Sequence, residues 1–151
     1  MTEEGIYVKR ILVPIDGSET SLRAAKYAIH AAKCENAHVT CIYVITVFQN
    51  TSEFIEKPPS YYDELARPAK IWFEGILKIG SQMGIESNNI ATDIVKEYSS
   101  VSGAIIQYAL NHEADLIVIG TRGKTGFKRL LLGSTVENVV RHAHCPVLVV
   151  R

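Results

Sequence analysis

Apolar residues along this chain alternate between short unbroken runs and longer stretches in which they recur every three or four positions. The short runs predict strands, and the run Ile11-Leu12-Val13 suggests burial on both faces, as in a parallel sheet. The longer stretches predict helices packed through one face. The strands are expected at 7–15, 39–47, 90–97, 115–119 and 147–150. A helix over 18–34 turns Leu22, Ala25, Ala28, Ile29 and Ala32 to one side. A second, over 61–83, aligns Leu65, Trp72, Ile76, Ile79 and Met83, with Pro68 predicting a first turn or a break inside it. Two shorter helices are expected over 101–111, with Ile105 and Ala109 inward, and over 134–142. Residues 51–60, with Pro58 and Pro59, are polar and loop-like, and the segment 48–60 is the candidate for a mobile flap.

Strands and helices therefore alternate, which implies an α/β fold with right-handed crossovers. The expected architecture is a single doubly wound five-stranded parallel sheet, order 3-2-1-4-5, with helices on both faces. Ligands of such sheets bind beyond the carboxyl ends of the strands, where the chain order reverses. Here that is between strands one and four. Two features fall there: Asp16, after strand one, and the loop that opens at Gly120, after strand four.

That loop, DLIVIGTRGKTGFKRLLLGS, spans 115–134. Gly120, Gly123 and Gly133 permit close backbone approach. Ser134 and Thr135 then open a helix, whose free N–H groups and dipole suit a phosphate. Each glycine also reads as a plain junction residue, and Ser134 as a plain N-cap. Together they read as a nucleotide-phosphate cradle. A Walker A loop needs four residues between its first glycine and Gly-Lys-Ser/Thr, and only two stand here. A dinucleotide fingerprint would follow the first strand as Gly-x-Gly-x-x-Gly, which this loop does not match. Arg122 and Lys124 make the loop basic. Lys128 and Arg129 read better as solvated surface. Asp16 suits a sugar hydroxyl and equally a turn or an extra cap for the first helix, with Ser18 the expected N-cap.

Composition narrows the field. In 151 residues, 16 basic and 16 acidic side chains cancel. A neutral chain offers no bulk attraction for nucleic acid or an anionic membrane, so anion binding has to be local. No apolar run approaches a membrane span, and MTEEGIYVKR lacks the apolar core of a signal peptide. A single cytoplasmic domain, residues 1–151, is the expectation. Cys34, Cys41 and Cys145 form no motif and read as reduced thiols.

Several separated segments, KRILVPIDGSETS, DLIVIGTRGKTG and LLLGSTVENVVRHAHCPVLVV, resemble in order the universal stress protein family, in its ATP-binding subgroup. The resemblance spans essentially the whole chain. It implies ATP, or another adenine nucleotide, as ligand, with Mg2+ or Mn2+ carried on the phosphates and Asp16 able to reach the metal through water. It raises the ribose role for Asp16. It puts the Val44 backbone on adenine, with Pro14 and Ile15 walling the base. It brings Ile119, Gly120, Arg122 and Gly123 to ribose and phosphates, and gives phosphate oxygens to Gly133, Ser134 and Thr135. The family often has Val and then Ser/Thr after that serine. Here the order is Thr135-Val136, so one hydroxyl contact is missing.

No catalytic set is evident. Asp115 falls at the amino end of strand four, away from a nucleotide, and no histidine is placed to activate Ser18 or Ser21. Paired glycines of adenylate-forming PP-loop enzymes are absent after strand one. His142-Ala143-His144-Cys145 could offer zinc ligands, but it reads as a helix-to-strand turn with histidine favoured at the helix C-terminus. The expectation is a dimeric, ATP-binding stress-response switch or sensor. Its alternatives are a nucleotide-independent dimeric scaffold and a slow ATPase or phosphotransferase. An apolar edge strand at 147–150 invites pairing, and the resemblance implies the same homodimer. Any protein client is open.

Overall fold

The apolar runs Ile11-Leu12-Val13 and Ile117-Val118-Ile119 form strands because neither of their faces has a polar set to give to water. The computed structural model describes residues 5–47, 57–97, 99–121 and 132–151. Its elements are β1 (Arg10–Pro14), α1 (Glu19–Glu35), β2 (His38–Thr46), α2 (Pro59–Met83), β3 (Ile90–Glu97), α3 (Val101–Asn111), β4 (Leu116–Gly120), α4 (Ser134–His142) and β5 (Val147–Val150). A single turn of 3-10 helix, Ser87–Asn89, precedes β3. All pairings are parallel, and the order is β3-β2-β1-β4-β5, the expected one.

The sheet divides its side chains between two cores. Ile11, Val13, Ile15, Val39, Cys41 and Val118 pack with α1 and α2. Leu12, Ile42, Ile117 and Ile119 pack with α3 and α4. The alternation Ile11/Leu12/Val13 is the strand period of two sending neighbours to opposite layers. Val13, Val39, Ile42 and Ile117 are fully buried.

Local signals set most boundaries. Ser18 caps α1, its Oγ accepting from the Ser21 N–H at 3.2 Å. Asn36, in the left-handed region at φ 53°, ends that helix. Two expectations need correction. First, α2 runs unbroken from Pro59 to Met83 with Pro68 inside it. Pro68 is exposed, while Ala66, Ala69, Phe73, Ile76 and Gly80 are buried along the same helix. That burial outweighs a helix-interior proline cost of about 3 kcal/mol. Second, α2 starts at Pro59, so the tail of the expected loop is helical; Pro suits the first helical position. The rest of the expected flap, 48–56, lies outside the described residues.

Candidate functional site

The central strands part company at their carboxyl ends. β1 and β4 pair only through Ile11 with Leu116 and Leu12 with Ile117. Beyond that, the Ile15 N–H donates to the Ile42 carbonyl at 2.7 Å and keeps β1 on β2. The Thr121 N–H donates to the Val150 carbonyl at 2.8 Å and keeps β4 on β5. A cavity of about 290 Å³ opens between them, near the lower end of ligand-site volumes. Pro14, Ile15 and Asp16 line it from β1, Ile42, Tyr43 and Val44 from β2, and Ile119 and Gly120 from β4. Gly133, Ser134, Thr135 and Val136 close it from the start of α4. Thus nine of the eleven residues singled out in the sequence come together around one crevice. The other two, Arg122 and Gly123, lie outside the described residues, as do Lys124, Lys128 and Arg129.

Three polar features face this space. The first is a bare strand edge. Ile42 is the β2 residue that bonds to β1, and a strand alternates the side its peptide groups face. The next β2 residue turned that way is Val44, past the last β1 partner, since β1 pairing stops at Pro14 with Ile42. Its N–H and C=O form a donor–acceptor pair on the cavity wall. The second is Asp16. Its Oδ1 accepts from the Ser18 N–H at 2.9 Å, the turn role, and the residue also lines the cavity. The turn role of Asp16 is thus compatible with its place on the cavity wall. The third is the start of α4. Its first intrahelical bond is donated by Glu137 to the Gly133 carbonyl at 2.9 Å. The N–H groups of Ser134, Thr135 and Val136 therefore have no intrahelical acceptor and carry the positive end of the helix dipole.

The glycines do not share one role. Gly120 lines the cavity and also admits a helix. A Cβ there would fall 2.6 Å from the Thr20 carbonyl carbon and 2.7 Å from the Ser21 nitrogen. Absence of a side chain lets the first turn of α1 sit on β4. Gly133 has ordinary room, its Cβ position being 3.6 Å from the Thr121 oxygen. It is the N-cap of α4, not Ser134 as the sequence suggests, because its carbonyl already accepts the first helical bond. Ser134 is the first helical residue, which leaves its hydroxyl free of that capping duty.

Sequence reasoning missed Ser21, Ile42, Tyr43, Val101, Ile105 and Val136 as lining residues. Ile105 was legible only as an inward-facing helical residue. Ser21 is buried in the first turn of α1, where its hydroxyl donates to the Ser18 carbonyl at 2.9 Å.

Asp115 and Cys145 are engaged away from the cavity. Asp115 Oδ2 accepts from the backbone N–H groups of Lys9 at 2.9 Å and Arg10 at 2.8 Å, at the opposite end of the strands. Burial, and then the Asp115 charge, push the Cys145 thiol up from its ordinary value, which disfavours the thiolate a metal needs. His142 Nδ1 lies 3.0 Å from the Asn138 carbonyl, a helix C-terminal contact. Among the described residues no group of three His, Cys, Asp or Glu side chains could hold a metal ion, and no helix is long and apolar enough to cross a membrane.

Residues 8–151 match the sequence pattern of the universal stress protein family. The chain belongs to that family. Universal stress protein MJ0531 of Methanocaldococcus jannaschii is 39% identical to it, over 98% of this chain and 84% of that one. The solved universal stress protein UspA of Lactobacillus plantarum is 30% identical with a TM-score of 0.76, covering 96% of this chain and 99% of its own. A universal stress protein solved in complex with cAMP is 24% identical with a TM-score of 0.68, covering 96% and 98%. At that identity the likeness concerns the fold. In this universal stress protein, the crevice between β1 and β4 is where the fold and the polar groups converge.

Proposed function

We propose that this universal stress protein binds an adenine nucleotide, ATP or another adenylate, in the β1–β4 crevice and acts as a dimeric stress-response switch. The observation that carries the reading is the convergence of three matched walls on one cavity. The Val44 peptide edge suits the donor–acceptor edge of adenine, between the apolar side chains of Pro14, Ile15 and Ile119. Asp16 suits the ribose hydroxyls through charge-assisted hydrogen bonds. The N-terminal amides of α4, with the Ser134 and Thr135 hydroxyls, suit phosphate oxygens. Arg122 and Gly123 belong to the same proposal. A divalent cation, Mg2+ or Mn2+, would arrive on the phosphates, since Mg2+ keeps most of its waters and uses few protein ligands. A fold neighbour was solved in complex with cAMP, itself an adenylate, which is in keeping with the ligand class proposed here.

The dimer half of the proposal rests on β5. Among the described residues it is an edge strand, paired with β4 on one side, and its Leu148 is 44% exposed. Antiparallel pairing of two such edges would close a symmetric interface. Light scattering that returns one protomer's mass would refute it.

The nucleotide half is tested by denaturing freshly purified protein, identifying released nucleotide by chromatography, and titrating stripped protein with Mg·ATP in a calorimeter. Released adenylate, or micromolar binding at about −8 kcal/mol, is the expected result. An empty extract with a flat titration would overturn it and leave the dimeric scaffold.

A further inference from the structure

The turn that carries Asp16 is held from behind by an aromatic ring. Gly17 adopts φ +79°, a left-handed conformation that favours glycine. A Cβ at Gly17 would fall 2.1 Å from Cζ2 and 2.3 Å from Cε2 of Trp72. The indole therefore occupies the volume that a side chain at position 17 would take. Trp72 comes from α2 and packs against the α1–α2 core, on the sheet face opposite α3 and α4. Tyr43, which lines the cavity from β2, meets the indole edge-on, with ring centroids 5.4 Å apart at 87°. The Asp16-Gly17-Ser18 turn thus lies between the cavity and an aromatic backstop.

We propose that Trp72 is a positioning residue for the nucleotide site. By filling the space beneath Gly17 it fixes the left-handed turn, and the fixed turn aims the Asp16 carboxylate at the ribose hydroxyls. The physical argument is one of freedom. A glycine explores both signs of φ, so a turn centred on it samples many directions for the neighbouring side chain. The Ser18 N–H donates to Asp16 Oδ1 at 2.9 Å and the Asp16 N–H donates to the Ser21 Oγ at 3.4 Å, and neither bond holds Gly17 itself. A ring wedged against the glycine removes the alternatives without touching the ligand, which is preorganisation. The inference rests on the adenylate reading of the crevice, and its consequence for function is that α2 gains a direct mechanical link to the ribose position.

The experiment compares wild type with Trp72→Leu and Trp72→Phe, titrated with ATP and with 2′,3′-dideoxy-ATP, which lacks the ribose hydroxyls. Amide hydrogen exchange at Ser18 is measured on the same proteins without nucleotide. Trp72→Leu is expected to weaken ATP about tenfold, a loss of one well-placed charge-assisted bond. It should weaken the dideoxy analogue far less and speed Ser18 exchange. Trp72→Phe, which keeps an aromatic ring, should restore most of both. Equal losses for the two nucleotides, or Ser18 exchange unchanged in Trp72→Leu, would overturn the proposal. If wild type binds neither nucleotide, the adenylate reading fails by itself, and the exchange rate still decides whether the indole holds the turn.

Discussion

Strands β1 and β4 meet a carboxylate at each end, and the two are used in opposite ways. At the amino end, Asp115 accepts two backbone N–H groups, from Lys9 and Arg10, more than a hundred positions away in sequence. The Arg10 carbonyl in turn accepts from the Asp115 N–H at 2.8 Å. At the carboxyl end, Asp16 accepts one N–H from its own near neighbour Ser18, and the residue faces the cavity. One carboxylate joins the two strands; the other shapes a turn where they have separated. The same residue type thus has a structural role at one pole of the sheet and a candidate binding role at the other. The difference lies in whether the neighbouring backbone consumes its acceptors.

The strongest challenge to that contrast is Gly120→Val. Its side chain would meet backbone atoms of α1 that cannot swing aside, so a loss of about 3 kcal/mol or more is expected. Denaturant unfolding checks this. A near-neutral result would mean that α1 yields and that the carboxyl pole is looser than described. Next, Asp115→Ala should cost about 1–2 kcal/mol by orphaning two amides at a partly solvated sheet end, while nucleotide affinity stays within error. A parallel loss of affinity would break the separation of the poles.

Asp16 should behave in reverse. Asp16→Ala is expected to lower ATP affinity about tenfold, with stability falling by less than about 1 kcal/mol. Asp16→Asn keeps an acceptor for Ser18, so the turn should persist while the charge-assisted part of binding is lost. Calorimetry on both variants separates the turn role from the ribose role. The smallest effect belongs to Gly133→Ala: a methyl meets only ordinary contact at 3.6 Å, and stability should change by less than about 1 kcal/mol. A large loss there would show that α4 starts under a constraint its φ of −59° does not reveal.

Much of this was legible before any coordinates, for identifiable reasons. The run Ile11-Leu12-Val13 could only be a two-sided strand, and the Ser18 cap sits where its hydroxyl chemistry puts it. The switch point followed from strand order, which gathered Asp16 and the loop that opens at Gly120 without knowledge of contacts, whereas Val44 was reached only through the family resemblance. What stayed hidden depends on packing across the fold. Pro68 reads as a break until the buried face of α2 is seen to carry it. Gly120 reads as a cavity residue alone until Thr20 and Ser21 are also found against it. Trp72 reads as one more apolar residue of a helical stripe; nothing local announces that it pairs with Gly17, 55 positions earlier. Loop glycines carry the weakest sequence information because one residue type serves turns, caps and close approach alike.

The short pairing of β1 with β4 also bears on how the chain acquires its crevice during synthesis. β1 can zip onto β2 through five register positions as soon as residue 46 has emerged, and β2 onto β3 through eight more. The other edge of β1 must wait for residues 116 and 117, its partners in β4. Closing that long loop is the slow, entropically costly event of such a topology. A nascent chain carrying only the first three strands would thus expose an apolar edge at Ile11 and Leu12, a natural point of contact for a holding chaperone. The crevice itself would form late, when β4 docks on β1.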